Sequence, residues 1–130
     1  MSRLVVEAVS GESKFIDIVF HLELFVSVSD AQTGAPVSGL TLDSFRLCAP
    51  SGTLFDTIFA AGTEAAWNGP QREASGCYSL SVSISMDNNK GKLEWVEGEY
   101  YPFGVQVQFT DDDSRAHMGQ TVVRVQSLGK

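Results

Sequence analysis

The sequence predicts an all-β protein whose strands pack as two layers around one core. The prediction rests on a turn-and-strand pattern, Gly-x-Tyr followed by alternating residues, which occurs twice. In the first copy, beginning at Gly76, apolar residues alternate with serines. In the second copy, beginning at Gly98, apolar residues alternate with mainly polar ones. A period of two is typical of strands that have one face on a core and the other in water.

The alternation also assigns the two faces of these strands. The residues predicted to face the core are Leu80, Val82, Ile84, Tyr101, Phe103, Val105, Val107 and Phe109. The residues predicted to face solvent are Ser79, Ser81, Ser83, Ser85, Pro102, Gly104, Gln106, Gln108 and Thr110. One-sided burial of this kind is common in antiparallel sheets.

Five further strands are predicted around these two. The strongest begins at Ile16, because the even positions from 16 to 28 are all apolar, and we expect a bend or bulge near His21. A weaker strand over 2–9, ending at the turn 10–12, precedes it. The other predicted strands are 42–48, 53–59 and 120–128, with loops at 60–76 and 87–95. Seven short strands fit a two-sheet antiparallel sandwich, and an eight-stranded jelly roll is the alternative.

One segment of the chain resembles a known family. Its pattern is Val26-x-Val28-x-Asp30-x-x-Thr33-Gly34-x-Pro36-Val37-x-Gly39-Leu40. This pattern is similar to the second strand and following turn of bacterial immunoglobulin-like surface domains, and the Gly-x-Tyr strands are similar to the penultimate strands of the same group. The resemblance implies a seven-stranded antiparallel immunoglobulin-like β-sandwich. It implies an architecture and not an activity.

Size and charge limit the classes of partner. The chain has 130 residues, of which 43% are apolar and 19% charged, and this composition fits one domain over residues 1–130. Its formal net charge is −7. Because this charge repels phosphate groups, we expect neither nucleic-acid binding nor attraction to anionic lipids. We expect no membrane insertion, since no segment has the apolar length that a bilayer requires.

The first residues do not form a secretory signal, because Glu7 interrupts the first apolar stretch. The sequence as it stands therefore predicts a cytoplasmic protein. The prediction becomes an extracellular or cell-surface protein if the chain is a mature form or an excised domain.

Cys48 and Cys77 are the only cysteines. We predict two reduced thiols near strand ends, and a disulfide is the alternative. Neither cysteine lies in a CxxC or zinc-ligand spacing. They also do not lie on two central strands with a tryptophan between them, so the resemblance does not imply the core disulfide of antibody domains.

The acidic run near the C-terminus suggests a cation site. If the strands alternate in direction, the turns after the second, fourth and sixth strands lie at one end of the sandwich. Carboxylates from two of these turns, which calcium prefers as ligands, would then be neighbours: Asp30, Asp111, Asp112 and Asp113. No DxDxDG loop is present, so the alternative is that these acids face water. Apart from weak calcium binding, no cofactor is expected.

The same end contains residues that are typical of carbohydrate sites. Trp67 lies in a segment predicted as a loop, where an exposed indole ring offers a platform for a sugar. Polar side chains that would hydrogen-bond hydroxyl groups are Gln32, Asn68, Arg115 and His117. The alternative is that Trp67, like Trp95, closes one end of the core.

Catalytic motifs do not occur in the sequence. Gly-x-Ser-x-Gly, HExxH, a Walker loop and GxGxxG are all missing. Glu97 and Glu99 share a predicted strand face, which leaves a carboxylate-based hydrolase as an alternative. We predict that the protein is not an enzyme.

An apolar surface suggests an interaction role. Val19, Phe25 and Val122 make the second face of the long strand and its neighbourhood more apolar than solvent exposure requires. Another protein or a second copy of the chain is the expected partner. The sequence therefore predicts a non-catalytic binding or structural interaction module, with a carbohydrate-binding module as the alternative.

Overall fold

Seven strands account for most of the residues that the computed structural model describes, which are 2–16, 19–49, 57–64, 76–85 and 100–126. In chain order the strands are β1 (Ser2–Ile16), β2 (Val19–Asp30), β3 (Phe45–Cys48), β4 (Thr57–Glu64), β5 (Cys77–Ser85), β6 (Tyr100–Thr110) and β7 (Ala116–Gln126). A single 3-10 turn, Leu42–Ser44, precedes β3. Across these ranges no helix has the length and apolar character needed to cross a membrane.

The strands form one mixed sheet in the order β3-β6-β7-β1-β2-β5-β4. Neighbouring strands run antiparallel except β1 and β7, which run parallel where Ser2 pairs with His117 and Arg3 with Met118. The sequence predicted antiparallel pairing throughout. That prediction is wrong at this one junction, where the first and last strands of the chain run side by side in the same direction.

The sheet curls so that its two ends share one core. Phe45 on β3 and Tyr78 on β5 have ring centroids 5.3 Å apart at an interplanar angle of 59°. Four strands lie between β3 and β5 in the sheet order. Their contact is therefore made across the inside of a half-barrel.

The core confirms the faces predicted from alternation. The buried apolar residues of β2, β5, β6 and β7 are Phe20, Leu22, Leu24, Val26, Val28, Tyr78, Leu80, Val82, Ile84, Phe103, Val105, Val107, Val123 and Val125. Tyr101 and Phe109 are half-buried and pack against the edge of this core. The serines of β5 lie on the opposite face and are partly exposed.

The hairpin of β1 and β2 differs from its prediction. The expected single strand from position 16 is divided, because β1 continues to Ile16 and Ile16 pairs with Val19 in β2. Residues 17 and 18 lie outside the described residues. The predicted strand at 2–9 is confirmed as the first part of β1, but the turn expected at 10–12 is wrong, because β1 continues through it.

The irregularity expected near His21 is instead a bulge in β1. Ser10 pairs with Leu24 and Ser13 with Leu22, so that β1 contains one extra residue. Gly11 allows it, because a Cβ atom there would lie 2.7 Å from Cε2 of Phe25. As a result, Ser10 and Ser13 face the same way. Their hydroxyl groups donate to the carbonyl oxygens of Arg124 and Gln126 in β7, each at 3.0 Å.

Other strand limits shift by several residues. The predicted strand 42–48 is a 3-10 turn followed by the short β3, and the last strand begins at Ala116 instead of residue 120. The predicted strand 53–59 is replaced by β4, Thr57–Glu64, and residues 53–56 lie outside the described residues. So do Trp67, Asn68, Trp95, Glu97 and Glu99.

A network around Tyr78 explains the first Gly-x-Tyr pattern. The Tyr78 hydroxyl donates to the Val37 carbonyl at 2.6 Å and accepts from the Leu40 N–H at 3.2 Å. Val28 connects the same groups, since its N–H donates to the Gly76 carbonyl at 2.8 Å and its carbonyl accepts from the Val37 N–H at 3.0 Å. Gly76 has a φ of 77°, and a Cβ atom there would lie 2.7 Å from the Val28 carbonyl oxygen. Only glycine fits this position without strain.

We expect Tyr78→Phe to lower the free energy of unfolding by about 1–2 kcal/mol, because the Leu40 N–H loses its acceptor while the ring still fills the core. Chemical denaturation measures the change. The matched control is Tyr100→Phe, because Tyr100 is 58% exposed. Equal stabilities of the two variants would contradict the role given to the Tyr78 hydroxyl.

A second test concerns the junction of β1 and β7. A Cβ atom at Gly119 would lie 2.5 Å from the Leu4 carbonyl oxygen, whereas at Gly104 the nearest atom, Cβ of Cys48, is 3.4 Å away. We expect Gly119→Ala to destabilise the fold by about 1–3 kcal/mol through backbone displacement. Gly104→Ala, the control, should melt close to the parent protein. A Gly119→Ala variant as stable as Gly104→Ala would show that β7 does not depend on this close approach.

Candidate functional site

Asp111 organises the turn between β6 and β7. Its Oδ1 atom accepts the N–H groups of Asp113 and Arg115, each at 2.9 Å. Its own carbonyl accepts the Ser114 N–H at 2.9 Å, and Ser114 has a φ of 62°. The carboxylate thus satisfies backbone donors of a turn that contains a left-handed residue.

Asp111 also holds His117. The Oδ2 atom of Asp111 lies 2.7 Å from Nε2 of His117. A carboxylate can only accept a hydrogen bond, so Nε2 is the donor. The ring of His117 stacks on Phe109, with centroids 4.7 Å apart. Its Nδ1 atom is buried and has no hydrogen-bond partner in the described part of the chain.

The hydrogen bond from His117 is the largest cause of a lowered pKa at Asp111, and the N–H groups of Arg115 and Asp113 act in the same direction. The native state therefore favours the ionised carboxylate. Its contribution to stability is present above the ordinary carboxyl pKa of 3.8 and is lost as the pH falls through the lowered value.

We expect Asp111→Asn to melt at a lower temperature than the parent at about pH 6, and this difference to shrink towards about pH 2.5 as the parent carboxylate is protonated. Thermal melts of both proteins across this range measure it. Asp112→Asn is the control, since Asp112 is an exposed acid in the same turn. A difference between the parent and Asp111→Asn that stays constant with pH would contradict the assignment.

Asp30 forms a similar turn after β2. Its Oδ1 atom accepts the N–H groups of Gln32 and Thr33 at 2.8 and 3.0 Å. The Arg3 carbonyl accepts the Ala31 N–H at 3.0 Å, and Arg3 pairs with Met118 close to the other turn. The turns after β2 and β6 thus lie at the same end of the sheet, as alternating strand directions predicted.

The predicted ligand residues have different surroundings. Within the described ranges, no three of the His, Cys, Asp and Glu side chains are grouped as metal ligands. Asp30 and Asp111 use their carboxylates to hold their own turns, and Asp112 and Asp113 are exposed. Gln32 and Arg115 are exposed in the two turns. The calcium site stays a prediction. So does the carbohydrate site, since Trp67 and Asn68 are outside the described residues.

A different surface has the composition of a binding site. We call it the β3–β6–β7 outer face, and its members point away from the core on these three strands: Arg46, Cys48, Tyr100, Pro102, Gly104, Gln106, Gln108, Met118, Gln120, Val122 and Arg124. Tyr100, Met118 and Val122 are 58%, 45% and 65% exposed. The face has two arginines and, among these residues, no acid.

A recess lies in the middle of this face. Gly104 pairs with Cys48 on one side and Val122 on the other, and an open recess of about 480 Å³ lies over these residues. Gln106 and Gln120 border the cavity. The structure has Cys48 and Cys77 as free thiols, as predicted. Burial raises the pKa of the Cys48 thiol, so the floor of the recess is uncharged at neutral pH.

The sequence identified only one residue of this face as part of an apolar surface. Val122 was grouped with Val19 and Phe25, but β1 lies between β7 and β2 in the sheet and separates them. Phe25 instead pairs with the 57% exposed Val9. The signal that was missed is the outward half of the β6 and β7 alternation, which contains no Asp or Glu.

No family model, curated protein or solved structure matches the chain.

Proposed function

We propose that the chain is a non-catalytic interaction module that binds another protein, or a second copy of itself, on the β3–β6–β7 outer face of an immunoglobulin-like sandwich. The strand order supports the fold. Constant-type immunoglobulin domains place strands one, two, five and four in one sheet and strands three, six and seven in the other. The order β3-β6-β7-β1-β2-β5-β4 contains these two groups.

The observation that carries the proposal is the chemistry of the outer face in an acidic protein. The chain has 16 Asp and Glu residues against nine Lys and Arg, yet arginines are the only charged residues at the outward positions of β3, β6 and β7, and Asp43 is the acid that lies beside them, near Gln108 and Met118. Protein interfaces are enriched in Tyr, Met and Arg and depleted in Asp and Glu. Tyr100, Met118, Arg46 and Arg124 agree with this pattern.

The other half of the sheet supplies a contrast. Six of the eleven outward positions of β2 and β5 are serines (Ser27, Ser29, Ser79, Ser81, Ser83 and Ser85), and the other five are Val19, His21, Glu23, Phe25 and Cys77. Serine is depleted in interfaces. On β1, exposed Val5 and Val9 are divided by exposed Glu7. The apolar groups of this half are therefore interrupted by groups that favour water.

The test compares two aspartate variants of equal charge. Tagged parent protein, Val122→Asp and Val9→Asp are used to capture proteins from the cells that make the chain, and each captured partner is then purified and titrated against the three proteins. We expect Val122→Asp to raise the dissociation constant by at least about tenfold, because the substitution places a charge at the centre of the contact. Val9→Asp should bind like the parent. Light scattering on the parent and on Val122→Asp, compared, measures self-association through the same face.

Equal binding by both variants would place the contact elsewhere on the molecule. Loss of binding in Val9→Asp alone would assign it to the β1–β2 surface.

A further inference from the structure

We infer that the partner contributes an extended acidic segment of polypeptide, in which one apolar side chain enters the Gly104 recess and two flanking carboxylates pair with Arg46 and Arg124. This inference rests on the proposed function and specifies its partner.

The register of the three strands places the two arginines on opposite sides of the recess. Arg46 is opposite Gln106, two residues along β6 from Gly104, and Arg124 is opposite Pro102, two residues in the other direction. The two arginine Cα atoms are therefore separated by about 13 Å along the strands and about 10 Å across them, from standard strand rise and spacing. The two Cα atoms thus lie at diagonal corners around Gly104, about 16 Å apart, just outside the residues that line the recess.

The composition of the recess fits an apolar side chain whose neighbouring backbone groups form hydrogen bonds with the protein. Its floor is the neutral Cys48 thiol beside Gly104, and its rim includes the exposed Val122. Gln106 and Gln120 are opposite each other at its border. Each amide offers both donors and an acceptor, which is what the N–H and C=O groups of an extended chain require.

Charge distinguishes an acidic segment of polypeptide from two other partners, a second copy of the chain and nucleic acid. A second copy that docked outer face to outer face would bring arginines together and would supply a carboxylate only from Asp43, at the Met118 end of the face. Nucleic acid is disfavoured, because two arginines cannot offset a phosphate at every nucleotide against the net charge of −7. A short segment with two carboxylates matches the two arginines, and carboxylates form bidentate pairs with guanidinium groups.

An eleven-residue capped peptide with a central Leu and a Glu two residues to either side is the probe. In an extended chain these three side chains lie on one face, and the two Glu Cα atoms are about 13 Å apart. The matched peptide has Gln at both Glu positions. Titration into ¹⁵N-labelled protein, followed by amide chemical shifts, gives both the site and the dissociation constant.

We expect the Glu peptide to shift the amide signals of Gly104, Gln120 and Val122. We expect the Gln peptide to bind at least about tenfold more weakly, since each of its two Gln residues lacks the charged hydrogen bonds that a Glu would form. Arg46→Gln and Arg124→Gln should each cause a loss of similar size. Lys14→Gln removes an exposed basic side chain of β1 that is paired with His21 of β2, and it should leave the affinity unchanged.

Three results would overturn the inference. Equal affinity for the two peptides, or equal losses in Lys14→Gln and Arg124→Gln, would show that the two arginines do not recognise carboxylates, while the interaction face itself would stand. Absence of shifts at Gly104 and Val122 up to about 1 mM peptide would show that the recess does not take such a segment. If a dimer of the parent is then dissociated by Val122→Asp, the partner is a second copy and the proposed function survives. If Val122→Asp also leaves every captured partner unaffected, the proposed function fails as well.

Discussion

The hydroxyl group of Tyr78 fixes the point where the chain passes from one half of the sheet to the other. The segment between β2 and β3 must leave the β2–β5 side and enter on the far side of the core, and Tyr78 binds both Val37 and Leu40 within it. Gly76 makes this possible, because its positive φ and missing side chain let Val28 approach. The same Tyr78 ring contacts Phe45 at the start of β3. One residue therefore positions the crossing segment and the strand that follows it, and β3 in turn supplies the edge of the outer face.

The two outer faces of the sheet show how an identical inner pattern can accompany different surfaces. β5 and β6 both alternate, and both bury every second residue, β5 along most of its length and β6 from Phe103 to Val107. On β5 the intervening residues are serines, whereas on β6 they include glycine, proline and glutamine beside the arginines of β3 and β7. Burial constrains only the inward residues, since the outward ones meet water in either case. Differences on the outward side are therefore where a specific surface can be encoded without cost to the core.

Alternation made the core predictable, because an apolar residue at every second position has only one way to be buried. The faces of β2, β5 and β6 were all predicted from it. The limits of β1 were not, since Gly11 is typical of a turn, and only the pairing of Ser10 with Leu24 and of Ser13 with Leu22 shows that it lies in a bulge. The turn residues Asp30 and Asp111 were found, but their hydrogen bonds to nearby N–H groups depend on backbone conformation that sequence does not specify. The outer face was missed because it combines residues from β3, β6 and β7, which are distant in the chain.

The extra residue in β1 determines how the two halves of the sheet are joined between β1 and β7. Three residues apart, Ser10 and Ser13 would point to opposite sides of a regular strand, but the bulge turns both towards β7 in step with the carbonyls of Arg124 and Gln126. Backbone pairing between β1 and β7 is confined to Ser2 and Arg3. Away from that end, the two halves are joined along this line by hydroxyl groups, which exchange readily with water at little free-energy cost. Local unfolding of the half-barrel would therefore begin with the separation of β1 from β7 beside Gln126. It would proceed along β1 towards the N-terminus, while the paired strands inside each half remain intact.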